Sequence, residues 1–139
     1  MRTYRADLQV HSCLSPCGSL DSSPSRIARV AHERKLDIVA LTDHNTAGNC
    51  PAFADAVSRY ADLTAFFGIE VTSEEEAHII CLFPDCAHAL EFGDHVRQAL
   101  GAQRNNPDFF GDQPVVDADE TILGMEDALL AGSTNWSIN

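Results

Sequence analysis

Apolar and polar positions alternate over residues 3–8 and then give way to a Ser-, Cys- and Gly-rich stretch from Gln9 to Ser22, which predicts a short strand followed by a loop. Ser23-Pro24 reads as a helix start, with the hydroxyl as cap and proline at the first helical position. Ile27, Val30 and Ala31 then recur at helical spacing, to about Lys35. Residues 36–41 are almost wholly apolar, as a strand buried on both faces requires. Pro51 opens a second helix carrying Phe53, Val57 and Tyr60. Residues 63–71 and 77–83 read as two further strands separated by the polar run Thr72-Ser73-Glu74-Glu75-Glu76. A third helix is expected from Cys86 to Leu100, with Leu90, Val96 and Leu100 inward and Gly101 as its stop. After an irregular stretch, Val115-Val116 and Thr121-Ile122-Leu123 flank the turn Asp117-Ala118-Asp119-Glu120 and predict a surface β-hairpin.

Strands alternating with helices predict an α/β fold with largely parallel strands, and such sheets build their sites at the carboxyl edge. The polar residues fall where that rule needs them. Asp7, Gln9 and His11 are spaced by two, so on a regular strand they share a face. Asp43 and His44 follow the apolar run Ile38-Val39-Ala40-Leu41 after Thr42, Glu70 closes Gly68-Ile69-Glu70, and His78 lies in Ala77-His78-Ile79. Together these oxygen and nitrogen donors form a mixed set suited to Zn, Mn or Fe. Cys17 joins them as a candidate thiolate donor, because its loop follows His11. His32, His88 and His95 sit on helix faces expected to be solvated, and Glu74-Glu75-Glu76 is most simply a solvated turn.

The whole chain narrows the classes of function. Its 139 residues suffice for one domain with a real core. A net charge of -12, with nine Lys plus Arg of which only Lys35 is lysine, argues against a broad surface for a nucleic-acid backbone. Phosphate would be repelled at long range unless bound cations reverse the local charge, so an acidic chain that handles phosphate points to metals. Five cysteines, an odd number without disulfide-framework spacing, together with the lack of a long apolar run or signal sequence, predict a cytoplasmic protein with no membrane contact. Asp117-Ala118-Asp119 does not open a calcium loop, because the sixth position is Ile122 where glycine is required. Ser133 to Asn139 ends in capping residues and one apolar position, as a helix begins, which predicts a single domain cut short at its C-terminus.

Asp7-Leu8-Gln9-Val10-His11-Ser12, Leu41-Thr42-Asp43-His44-Asn45, Gly68-Ile69-Glu70 and His78, in that order, resemble the PHP family, named for polymerase and histidinol phosphatase. The run His11-Ser12-Cys13-Leu14-Ser15-Pro16-Cys17-Gly18 is especially similar to the metal-dependent phosphoesterases of that family. The resemblance implies the first part of a distorted β/α barrel with two or three divalent metals at its carboxyl-end mouth. By it, His11 and Glu70 would share one metal, Glu70 would bridge to a second held by His78, and His44 would serve a third beside Cys17 or Asp43. The family has histidine where this chain has Gln9, and it carries a further histidine and a closing Asp-x-His in a second half that lies beyond residue 139.

The reaction implied is hydrolysis of a small phosphate ester by water activated at the metals, with no protein nucleophile. An exonuclease of the same family is the competing enzyme reading, which the acidic charge disfavours. A non-catalytic metal-binding domain is the other, supported by Gln9. An interrupted barrel would leave a bare strand edge through which copies of the chain could associate.

Overall fold

The computed structural model describes all 139 residues. Strands β1 (Ala6–Val10), β2 (Ile38–His44), β3 (Thr64–Thr72) and β4 (His78–Phe83) form one sheet in chain order. Helix α1 (Pro24–Glu33) links the first two strands and α2 (Cys50–Val57) the next two, so β1, β2 and β3 run parallel. Strand β4 returns antiparallel after a tight connection, because residues 73–77 are too few for a crossover. Helix α3 (Cys86–Leu100) follows, then the single turn α4 (Pro107–Phe110), and β5 (Pro114–Val116) pairs with β6 (Ile122–Met125) as a separate antiparallel hairpin. This is an α/β architecture with a mostly parallel sheet, as the hydrophobic pattern predicts, curled into the half-barrel that the resemblance implies.

Period-two alternation divides the sheet into two faces. Val39 and Leu41 of β2 and Ile69 and Val71 of β3 pack against Ala28 and Ala31 of α1, Phe53 and Val57 of α2, and Val96 of α3, forming a closed core. The opposite face stays open. There Thr42, Gly68 and Leu82 lie abreast across three strands, and one step nearer the carboxyl edge come His44, Glu70 and Ile80. Gly68 is required at that position: a Cβ there would come within 2.6 Å of the Cys81 carbonyl oxygen and 2.9 Å of Leu82 Cδ2.

Local sequence accounts for the helix ends. Ser23 Oγ accepts from Arg26 N–H at the start of α1, Asp85 caps α3 by accepting from His88 N–H, and Gly101 at φ 73° ends it. Strand β2 continues three residues beyond the apolar run, so Asp43 and His44 lie within the strand rather than after it. Residues 133–139 form no helix. Thr134 gives both its N–H and its hydroxyl to the Thr72 carbonyl, and the Trp136 ring lies 5.7 Å from Phe92 against the core. Polar groups that could have capped a helix are used instead to tie the segment to the end of β3.

Two buried asparagines fasten the later chain to the carboxyl end of the sheet. Asn45, at φ 54°, donates to the carbonyls of Leu130 (2.9 Å) and Gly132 (2.8 Å) and accepts from Thr72 N–H (3.0 Å). Asn49 donates to Ser12 Oγ (3.0 Å) and accepts from Val116 N–H (3.0 Å), binding the hairpin to the loop after β1.

A candidate metal centre at the carboxyl edge of the sheet

Glu70 occupies the middle of the open face and is 3% exposed. Its Oε2 lies 3.0 Å from His11 Nε2 and accepts a 2.9 Å hydrogen bond from Gln9 Nε2, while Oε1 lies 2.7 Å from His78 Nδ1. His44 stands between the other two imidazoles. Its ring is stacked on His11 at 4.7 Å and meets His78 edge-on at 5.1 Å. Two donor groups result: His11, Cys17 and His44, and His44, Glu70 and His78, with the donor atoms of each group within 4.8 Å of one another. His44 belongs to both.

Strand geometry explains this convergence. Glu70 pairs with His44 in the parallel ladder and with Ile80 in the antiparallel one, and Thr72 pairs with His78, so three strands aim their donors at one place. The antiparallel return of β4 contributes directly, because it places the N-terminal end of β4, with His78, at the carboxyl edge of its neighbours.

The structure separates other candidates from this group. Asp7 does not share a face with Gln9. Asp7 is level with Val39 and Val10 with Leu41, so three steps along β1 match two along β2, and this bulge turns Asp7 toward the α1 side. Asp7 lines a cleft there with Ile27, Ala31 and Val39, while Gln9 reaches Glu70. Asp43 alternates away from His44 and is 1% exposed. It accepts from Ser12 N–H (2.6 Å), Ser12 Oγ (2.6 Å) and Ser15 Oγ (2.8 Å), which makes it the anchor of the β1–α1 loop rather than a member of either donor group. The one local signal for Ser12 and Ser15 is their Ser-x-x-Ser spacing directly after the predicted strand end, which by itself points to no role.

Burial and neighbouring charge shape the titrations. Burial raises Glu70, but hydrogen bonds from Gln9 and His78 and the nearby His44 and His11 outweigh it, so the carboxyl stays below its ordinary range. His44 is pushed down, chiefly by burial and further by His11 and His78, against the pull of Glu70, which favours the neutral imidazole a metal requires. Burial pushes Asp43 up despite its three donors. Cys17 is also raised, by burial first and then by Glu70 and Asp43. A bound cation would reverse that last effect.

A cavity of about 630 Å³ lies elsewhere, between α1, α2 and the hairpin. Arg26, Arg29 and Arg59 line it, but each has its own carboxylate: Asp21 at 4.0 Å, Glu33 at 3.1 Å and Asp119 at 3.3 Å. Their charge is spent locally.

A carboxylate, imidazoles and a thiol converging on one open face are the donors that borderline divalent ions select, so the residues fit such ions. Comparison with known proteins gives the class. The profile of the PHP domain matches residues 7–129, and the chain belongs to that family. A crystal structure from Bifidobacterium adolescentis, provisionally assigned as a metal-dependent phosphoesterase, superposes with a TM-score of 0.50 at 23% sequence identity. The match covers 70% of this chain and 35% of that one, so this chain spans about a third of that protein's length and the likeness is one of fold. No curated protein matches the chain.

Proposed function

We propose that this chain carries the metal-binding half of a PHP phosphoesterase site, which hydrolyses phosphate esters with two divalent ions, Zn, Mn or Fe, that share Glu70. The observation that carries this reading is Glu70, whose Oε2 lies 3.0 Å from His11 Nε2 and whose Oε1 lies 2.7 Å from His78 Nδ1, so that one carboxylate offers an oxygen to each of two ions acting on one phosphoryl group. Bound there, divalent ions would polarise the phosphoryl group and lower the pKa of an attacking water. His11 with Glu70 would hold one ion and Glu70 with His78 the other, with His44 and Cys17 beside them. The net charge of -12 favours a small phosphorylated substrate over a nucleic acid strand. Five unpaired cysteines support a reducing, cytoplasmic setting.

A non-catalytic metal-binding domain is the second reading, favoured by Gln9, whose amide donates to Glu70 where an imidazole would offer a lone pair. One experiment separates them. After chelation, the protein is titrated with zinc and with manganese, and phosphate release is followed from a mononucleotide and from an oligonucleotide. Two ions bound per chain, with phosphate released from the mononucleotide and lost in Glu70→Gln, is the expected result. Metal binding without turnover would establish the second reading, and no binding would exclude both.

A further inference from the structure

We propose that Ser15 is a positioning residue that selects the tautomer of His11, its hydroxyl being oriented by Asp43 so that the His11 ring carries its proton on Nδ1 and turns the Nε2 lone pair toward Glu70. The inference rests on the metal reading above and deepens it. Ser15 Oγ has three polar neighbours: Asp43 Oδ1 at 2.8 Å, the backbone nitrogen of His44 at 3.0 Å and His11 Nδ1 at 3.2 Å. A hydroxyl has one proton and two lone pairs to distribute among them.

The neighbours fix the distribution. The His44 N–H can only donate, so it takes one lone pair of Ser15. Asp43 is fully engaged as an acceptor. Its Oδ1 receives the Ser12 N–H, and its Oδ2 receives the Ser12 hydroxyl, whose own lone pairs are used by Leu14 N–H (3.2 Å) and Asn49 Nδ2 (3.0 Å). The Ser15 proton therefore goes to Asp43 Oδ1, because the alternative sets two lone pairs face to face at 2.8 Å in a buried pocket. What remains for His11 is the second lone pair of Ser15, and only Nδ1–H can use it.

The consequence appears on the other side of the ring. Nε2 lies 3.0 Å from Glu70 Oε2, and with the proton on Nδ1 these are two lone-pair atoms aimed at one another. They repel unless a positive charge stands with them, so the arrangement is stable with a cation there. The opposite tautomer would spend Nε2–H on Glu70 and leave His11 no lone pair for a metal. Through the same hydroxyl Ser15 also holds the backbone at His44, so a single serine sets both stacked imidazoles.

Long-range proton–nitrogen NMR spectra of the imidazoles, recorded on the zinc-loaded protein, test this directly. His11 should show a protonated Nδ1 and zinc on Nε2. Ser15→Ala should lower zinc affinity about ten- to a hundredfold and mix the His11 tautomers, while Ser15→Thr, which keeps the hydroxyl, should restore both. Zinc on Nδ1 of His11 in the native protein overturns the inference even if the variants do not fold, and so does Ser15→Ala with native affinity and an unchanged His11 spectrum. A native protein that binds no zinc fails at the metal reading itself and takes this inference with it.

Discussion

Gln9 donates from Nε2 to Glu70 Oε2 at 2.9 Å, the same oxygen that His11 Nε2 approaches at 3.0 Å. The amide therefore stabilises the Glu70 carboxylate but presents a proton, not a lone pair, toward the place where His11 and Glu70 meet. Replacing it by imidazole supplies a donor on the same strand face. Gln9→His should tighten zinc or manganese binding about ten- to a hundredfold. Calorimetric titration of both proteins at matched pH checks this, since imidazole must lose its proton to bind. Equal affinities would mean that the residue-9 side chain does not reach the ion.

Asn45 serves three buried backbone groups, the carbonyls of Leu130 and Gly132 and the N–H of Thr72, from a left-handed conformation at φ 54°. Asn45→Ala should destabilise the fold by about 3 kcal/mol or more, because each unpaired buried group costs about 1–3 kcal/mol. Asn45→Gly removes the same hydrogen bonds without backbone strain and should recover about 1 kcal/mol of the loss. Urea denaturation of both variants measures the split, and identical midpoints would rule out the strain component.

Glu75 holds the last residues of the chain, accepting from the Ser137 hydroxyl, from Ile138 N–H (3.2 Å) and from Asn139 Nδ2 (3.2 Å). Hydrogen bonds from Ser137 first, then Ser73, with a smaller contribution from Ile138 N–H, lower its pKa from 4.5 to about 2. A carboxyl depressed on folding contributes stability that is complete above its ordinary pKa and disappears as pH falls through its folded value. The Ile138 and Asn139 amide resonances should therefore keep their native positions down to about pH 4 and move only as the pH approaches 2. Movement centred at 4.5 would show that the tail is not held by Glu75.

Neither outer edge of the four-stranded sheet is paired: β1 pairs only with β2, β4 pairs only with β3, and the hairpin β5–β6 pairs with neither. Leu8, Ile79 and Leu82 are exposed on these edge strands. This chain should self-associate with rising concentration through those edges, giving a concentration-dependent mass in sedimentation velocity. Leu8→Lys should shift the equilibrium toward monomer, whereas an unchanged mass in that variant would place the contact away from β1.

Local sequence sufficed for the succession of elements and for placing His11, His44, Glu70 and His78 in or beside strands. Apolar runs of strand length, Pro24 and Pro51 at helix starts and Gly101 at a helix end are local signals, set by backbone sterics and burial within a few residues. His11, His44, Glu70 and His78 were legible because each occupies or adjoins a predicted strand. Tertiary structure decided which side chains face one another. The bulge in β1 removed Asp7 from the Gln9 face, and strict alternation in β2 turned Asp43 inward while His44 faced the open side. Strand β4 reversed because its connection was too short for a crossover, and that reversal carried His78 to the carboxyl edge. The work of Ser15 could not be read from its position in the chain, because it depends on Asp43, 28 residues away, taking the only proton its hydroxyl has to give.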